Sequence, residues 1–588
     1  MKPSPCPGEP DDFRRRVRWW EGFFCGLVVV VAIVVSRPYA EMGFIDDWSY
    51  VKTAFEYART GHFVYNGWAT AMLGWQILWG AWFVKLFGYS FTAARLSMLP
   101  VDLVSIWLFY SILGRFGITR RNAVFGALCL GLSPLFIPLG ASYMTDVPGL
   151  FVILLCLYLC LRALDARQDR AALLWLAAAA VSNVAGGTVR QIAWLGALVM
   201  VPSAAWMMRR RRGVLIAGAI LWALSAVTIF ICLQWWKRQP YSVPEHIVQG
   251  PVSAAMVAHL LVELLKAVLC TCLLVFPILT AWLPRYKTLP RKARIAIPTL
   301  LAVLAGFAFA LHVKRDLHAW TMPWLIHLLG SEGIFQSNWE MIGSRPVTIP
   351  VWLQAVISLA VIGTAATFVI AVYSRDERSF LTDKAGRISH IGPLTGPFVA
   401  AYLCLLLPRA LYVFLYDRYL LGLLPFIIVV LAALLQQSNL RPTGIANMAL
   451  VLFGLYGVLA THDLFALNRA RIAAVQEVRT SGVSPKLIQA GFEFDGWTEI
   501  QLAGHVNEKR VETPADAYVQ DLRYLQRPEP CRLGFDEDLP ALNRAYLVVL
   551  ADAPCGVQSG FPAVEYRGWL PPYRRWVYIR KVPQIPQR

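Results

Sequence analysis

Charge is what this chain has least of: only 15% of its 588 residues are Asp, Glu, Lys or Arg. A soluble globular enzyme carries about a quarter, so that class is excluded. Acids are the scarcer half, 36 against 55 basic residues, which leaves a formal net charge of +19. Such a surplus commonly points to nucleic acid. Here the Lys and Arg residues cluster between apolar runs, so they follow the positive-inside rule of membrane proteins and imply no nucleic-acid partner. The 11 cysteines form no C-x-x-C pair, and no His-x-x-x-His pair is present, so no metal site is legible by spacing. Cys25, Cys129, Cys156 and Cys270 lie within apolar runs and read as small buried hydrophobes. His312 and His318 read as ordinary loop histidines. There is no internal repeat and no low-complexity tract.

What is abundant is hydrophobic sequence, 57% of the chain. It falls into long runs, which predicts a multi-spanning membrane protein. Residues 1–18 form a Pro- and Arg-rich tail, expected on the cytoplasmic side. The run Trp19 to Ser36 is followed directly by Arg37 and Pro38 with no small-residue cleavage site, so it reads as an anchor. Thr70 to Gly88 is long enough to span. Counting it as a span would put Arg115, Arg120 and Arg121 outside, so it reads as an interfacial helix with Trp75, Trp79 and Trp82 at headgroup level. The run Val252 to Leu283 is too long for one upright span. It is expected to begin at the interface, with Glu263 and Lys266, and then cross. Arg209 to Arg212 is the strongest inside signal. The expectation is an all-α polytopic membrane protein of about 13 spans of ~17–22 residues over residues 19–462. From 463 to 588 polar residues return, and Tyr546 to Leu550 and Trp576 to Val582 read as strands. This part is expected to be a small mixed α/β domain in the extracytoplasmic space. There Cys531 and Cys555 are either bridged, as an oxidising compartment permits, or free.

On this topology the unusual polar residues gather at outer span ends. Asp46 and Asp47 follow the first span, and an amphipathic stretch follows them with Val51, Ala54, Phe55 and Ala58 at helical spacing. Asp146 lies in the second outer loop, Arg190 and Gln191 in the third, and Asp417, Arg418 and Tyr419 in the last. Acids at a membrane interface are costly when desolvated and need a reason. One reason is capping: Asp47 can accept the amides of Ser49 or Tyr50, and Asp146 sits two residues before Pro148 at a helix start. The arginines can snorkel to headgroups. One shared site explains all four loops more simply.

These residues resemble the motifs of the glycosyltransferase C superfamily, and within it the bacterial protein O-mannosyltransferase-like and aminoarabinose-transferase-like enzymes. The resemblance rests on Asp46-Asp47 before an interfacial helix, Thr145-Asp146-Val147-Pro148 in the second outer loop, Arg190-Gln191, and Asp417-Arg418-Tyr419-Leu420-Leu421 followed by Pro425. It covers roughly residues 15–462 and the layout of spans with a distal soluble domain. Two stretches depart from it. The family often has Asp-Glu at the acidic pair, and His-Pro-Pro or Lys-Pro-Pro where this chain has Tyr65-Asn66-Gly67-Trp68. The resemblance implies an enzyme of the plasma (inner) membrane that takes a sugar from a polyprenyl phosphate and gives it to a lipid, glycan or protein hydroxyl. Nucleotide sugars are absent outside the membrane, so a lipid-borne donor fits. In that chemistry Asp46, with Asp47 as backup, takes the acceptor proton. Arg190 and Arg418 bind the donor phosphate, supported by Gln191, Asp417 and Tyr419. Asp146 orients the acceptor or holds a divalent cation. Single displacement inverts the anomeric centre. A competing class is a transporter or flippase of a lipid-linked or polar solute, whose charges gather near the midplane among repeats and broken helices. A third is a non-catalytic assembly protein.

Overall fold

The structure, a computed structural model, describes residues 18–68, 70–245, 250–313, 324–325, 327–335, 340–374, 387–521 and 531–582. Residues 1–17 of the basic tail, His246, His318, Arg375, Arg378 and Lys384 lie outside the described residues.

The membrane part is mostly helical among the described residues. Its helices in chain order are α1 (Trp19–Val35), α2 (Asp47–Thr60), α3 (Gly74–Phe87), α4 (Phe91–Leu96), α5 (Leu99–Arg115), α6 (Arg120–Gly131), α7 (Phe136–Gly140), α8 (Asp146–Asp165), α9 (Asp169–Gly186), α10 (Val201–Met207) and α11 (Arg212–Lys237). They continue with α12 (Ala254–Leu274), α13 (Phe276–Thr280), α14 (Arg291–Val313), α15 (Val351–Tyr373), α16 (Ile391–Tyr412), α17 (Leu424–Gln437) and α18 (Gly444–Thr480). Among the described residues 7 helical stretches are long and apolar enough to cross a membrane alone: α4–α5 together, α8, α11, α12, α15, α16 and α18. Glycines set the tightest contacts. A Cβ on Gly22 would lie 2.7 Å from the Tyr110 ring and one on Gly26 2.6 Å from the Leu103 carbonyl, so α1 lies flush on α5.

Helix α3 has 14 residues, about 21 Å at 1.5 Å per residue, short of the ~30 Å hydrocarbon core. It is pinned sideways to the spans. Trp75 donates to the Gly186 carbonyl at 3.0 Å and Trp79 to that of Ser97 at 2.6 Å. Of the three tryptophans expected at headgroup level, only Trp82 is exposed. The others face inward because their indole N–H groups find protein carbonyls. The run from Val252 divides at Val275 into α12 and α13, with Glu263 and Lys266 paired on α12 at 3.1 Å. The Glu263 carboxylate also accepts the Leu415 amide, which matches a buried acid.

Helix α18 has 37 residues and runs through position 462 without a break. Its first half faces the bundle. In its second half Leu467, Ala470, Ala474 and Val475 pack on Val548, Leu550, Val577 and Ile579 of a sheet. That sheet has the order β3 (Ile488–Gln489), β4 (Tyr546–Val549), β7 (Arg574–Lys581), β5 (Val557–Gln558), with β6 (Val564–Arg567) paired to β7. Strand β3 is parallel to β4 and the remaining pairs are antiparallel. A short hairpin, β1 (Leu329–Gly330) and β2 (Gly333–Ile334), precedes α15. Cys531 and Cys555 are disulfide-bonded, with Cα atoms 5.4 Å apart. Helix α19 (Phe492–Leu502) returns to the membrane part and lies on α2. There Gly43 and Gly496 leave room for Trp48, since a Cβ on either would fall under 3 Å from it.

Candidate active site

The acidic pair sits on a turn that sends its two carboxylates in different directions. Ile45 before it has φ +53°. That is a left-handed conformation for a β-branched residue, a strain of about 1–3 kcal/mol that only a well-tied turn sustains. The tie is Asp47, whose Oδ1 accepts the Phe44 amide at 2.6 Å. Its Oδ2 accepts the Tyr143 amide at 3.2 Å and faces Arg95 at 3.4 Å. Arg95, on α4, also donates to the carbonyls of Ala40 and Met42. The Asp47 side chain is fully enclosed. Burial pushes its carboxyl above the usual range, while Arg95 and the two amides pull it back in part. Neither Asp46 nor Thr145, the residues that open α2 and α8, makes a side-chain cap bond.

Asp46 faces the other way. Its Oδ2 accepts from Arg418 at 3.0 Å, across 372 positions of sequence, and its Oδ1 accepts the Trp68 indole N–H at 2.9 Å. Asp46 and Arg418 keep 16% and 12% of their side chains open, so the pair is only partly buried. Beside it, Asp146 is closed and in ion-pair contact with Arg190. Both arginines thus turn inward to acids and away from headgroups.

Aromatic rings join the two pairs. Arg190, Arg409 and Arg418 lie 5.4, 5.1 and 5.7 Å from the Tyr419 ring. Tyr50, on the first turn of α2, interacts electrostatically with Asp46, Arg418, Asp146 and Arg190. Burial first, then Asp46, hold its hydroxyl well above the usual range. Asp46, Asp146, Arg190 and Arg418, drawn from four separate loops, therefore meet around Tyr50 and Tyr419.

The supporting residues serve the frame. Gln191 donates to the Thr70 carbonyl at 3.0 Å, tying the third loop to the segment before α3. Asp417 is buried and accepts the amides of Leu328 and Leu329, so it anchors the β1 hairpin. Burial pushes its carboxyl up to about 7, against those amides. The hairpin delivers His327, whose ring stacks on Tyr416 at 4.1 Å. Burial, then Arg418 and Arg409, hold it well below its ordinary range and therefore neutral. Arg95, Tyr50, Arg409 and His327 escaped the sequence reading as site residues, and Trp68 entered it only within a stretch that departs from the family pattern. Only Arg409 carried a signal, as a basic residue at an outer span end. Among the described residues no three His, Cys, Asp or Glu side chains converge as a metal site requires.

Residues 72–236 match the family model described as dolichyl-phosphate-mannose-protein mannosyltransferase. The match takes in Asp146 and Arg190 and bears out the resemblance to the glycosyltransferase C superfamily. That stretch is thus similar to a family of protein mannosyltransferases. No curated protein matches it in sequence. Among solved structures, ArnT from Cupriavidus metallidurans bound to undecaprenyl phosphate is 15% identical, covering 96% of this chain and 99% of that one, with a TM-score of 0.38. The arabinosyltransferase EmbB from Mycobacterium smegmatis is 15% identical over 81% of this chain and 44% of its own, with a TM-score of 0.33. The S. cerevisiae protein O-mannosyltransferase Pmt1-Pmt2 complex bound to the sugar donor is 15% identical over 38% of this chain, with a TM-score of 0.30. The chain spans 35% of its length.

Proposed function

We propose that the chain is an integral membrane glycosyltransferase that moves a sugar from a polyprenyl-phosphate donor to a hydroxyl acceptor. The reaction takes place on the extracytoplasmic face of the plasma (inner) membrane, with the N-terminus cytoplasmic and the C-terminal domain, residues 463–588, outside. The observation that carries this reading is the Asp46–Arg418 pair at 3.0 Å. A partly open carboxylate and a partly open guanidinium, 372 positions apart in sequence, meet in one pair.

The proposed reaction uses both. Asp46 takes the proton of the acceptor hydroxyl as that oxygen attacks the anomeric carbon. The carbon–oxygen bond to the lipid phosphate breaks, its electron pair leaves with the phosphate, and the anomeric centre inverts. Arg418 and Arg190 neutralise the departing phosphate. A guanidinium suits this because its planar fork holds two oxygens and stays charged when partly desolvated. Tyr419 holds the two arginines near each other through its ring face. Asp146 is the counter-ion that keeps Arg190 in place before donor arrives, and Asp47 with Arg95 fixes the start of α2.

The test is sugar transfer from a radiolabelled polyprenyl-phosphate donor in detergent, wild type against Asp46→Asn. Loss of transfer in a folded variant is expected, and full activity would end the reading of Asp46 as base. Absence of transfer by the wild type would favour the transporter class. Reporter fusions after Arg212 and Asp463 should report opposite sides of the membrane.

A further inference from the structure

We infer that Trp68 is a positioning residue for Asp46, and that the C-terminal domain holds it in that role. The inference rests on reading Asp46 as the base. Trp68 belongs to Tyr65-Asn66-Gly67-Trp68, the stretch that departs from the resembled family's pattern. Its indole N–H donates to Asp46 Oδ1 at 2.9 Å. Its ring is enclosed by Trp48, Phe492 and Phe535, with centroids 5.6, 5.3 and 5.4 Å away. Phe492 and Phe535 come from the C-terminal part, so that domain supplies two of the three walls.

The backbone just before it is tied down as well. The Val506 amide of the C-terminal part donates to the Asn66 carbonyl at 2.8 Å, and the Gly67 amide donates to the Tyr241 carbonyl at 3.0 Å. Gly67 has φ +79°, and a Cβ there would fall 2.7 Å from the Val506 carbonyl oxygen, so the close approach needs glycine. Asn66 in turn clasps Ser49 of α2, donating to its carbonyl at 2.9 Å and accepting its hydroxyl at 2.7 Å.

The two partners of Asp46 have different fates in the proposed reaction. Arg418 turns to the donor phosphate and frees Oδ2. Trp68 carries no charge, has no phosphate to follow, and stays on Oδ1. A neutral N–H donor on one oxygen favours the ionised carboxylate and fixes its plane, so the other oxygen points at the acceptor with its lone pairs open. The geometry of a partly buried base is thus set by aromatic walls of the soluble domain.

The experiment uses the full-length protein and the radiolabelled donor assay over a range of pH, normalised to folded enzyme. Trp68→Phe keeps a ring and removes the N–H. It should lower kcat about tenfold, the worth of one hydrogen bond to a charged group. It should leave the KM for donor lipid unchanged and move the acid limb of the kcat profile to higher pH, because the carboxylate loses a donor that stabilises its charge. A merely structural Trp68 would lower melting temperature or yield and leave both kcat and the acid limb in place, which overturns the inference. If Trp68→Phe does not fold, Phe535→Ala leaves the indole N–H present but unwalled, and kcat should fall with donor KM unchanged; an unchanged kcat would overturn it equally. Asp46→Asn measured alongside separates the two readings. If Asp46→Asn is fully active, the base assignment fails. If Asp46→Asn is dead and Trp68→Phe is normal, only the positioning role fails.

Discussion

Asp46 leaves part of its side chain open and meets an arginine that one bond holds to it; Asp47, one residue on, is sealed and meets an arginine tied as well to two carbonyls. The same residue type in adjacent positions thus has one carboxylate whose partners can be exchanged and one whose partners cannot. Asp47 spends its lone pairs on Phe44 and Tyr143 amides, which hold the strained Ile45 turn and thereby aim Asp46 outward. A movable carboxylate needs an immovable one beside it.

The largest break in this comparison should come from Asp46→Asn. Removing a general base costs about 10²- to 10⁴-fold in kcat. Because Asp46 is only partly buried, melting temperature should stay close to wild type in the same preparation. Asp47→Asn should do the reverse. It leaves Arg95 without the acid it faces, and breaking a buried pair costs about 3–5 kcal/mol of stability. Thermal unfolding in detergent measures it, with the transfer rate per folded molecule falling less than for Asp46→Asn. A variant as inactive as Asp46→Asn at wild-type stability would erase the distinction.

Arg418→Lys keeps the charge and loses the fork, so donor kcat/KM should fall about 10- to 100-fold, from the roughly 1.5–3 kcal/mol of a charge-assisted contact. An Arg418 that served only Asp46 would leave these kinetics unchanged. Asp417 extends the comparison to a third acid. Its folded-state carboxyl titrates near pH 7, above the ordinary range. Between about pH 4 and pH 7 the unfolded chain has released this proton and the folded chain has not, so stability contributed by Asp417 falls as pH rises through that window. Melting curves of Asp417→Asn should lose that slope. The smallest effect is on donor binding. Asp46→Asn releases Arg418, so the Kd for polyprenyl phosphate should fall about two- to fivefold, the scale of a partly open ion pair. An unchanged Kd would mean that phosphate and Asp46 do not compete for Arg418.

Much of this was legible from the chain alone. Asp46, Asp146, Arg190 and Arg418 stand out because charge is rare at outer span ends, and that rarity is a local property of sequence. Their pairing was not legible, since Asp46 and Arg418 lie 372 positions apart. Arg95 looked like one basic residue in an apolar run, and nothing in the run signals that it closes on Asp47. Trp68 and His327 carry no charge pattern, and their importance arises only from what packs against them. The apolar run Asn122 to Pro138 hides a break. It divides into α6 and α7, with Pro134 in the gap between them, because proline lacks the N–H that would continue the helix. Position 462 looked like a boundary because hydropathy falls there. The helix continues because its second half exchanges a bundle for a sheet as the surface that covers its apolar face.

That continuous helix has a mechanical consequence. At 1.5 Å per residue its 37 residues make a rod about 56 Å long, longer than the ~30 Å apolar slab it enters. A rod of that kind tilts when the slab thins or thickens, and it cannot tilt without swinging the sheet fixed to its far half. Through Phe492 and Phe535 that swing reaches the indole that donates to Asp46. Bilayer thickness then acts as a lever arm on the chemistry, and reconstitution in lipids of graded chain length reads it directly.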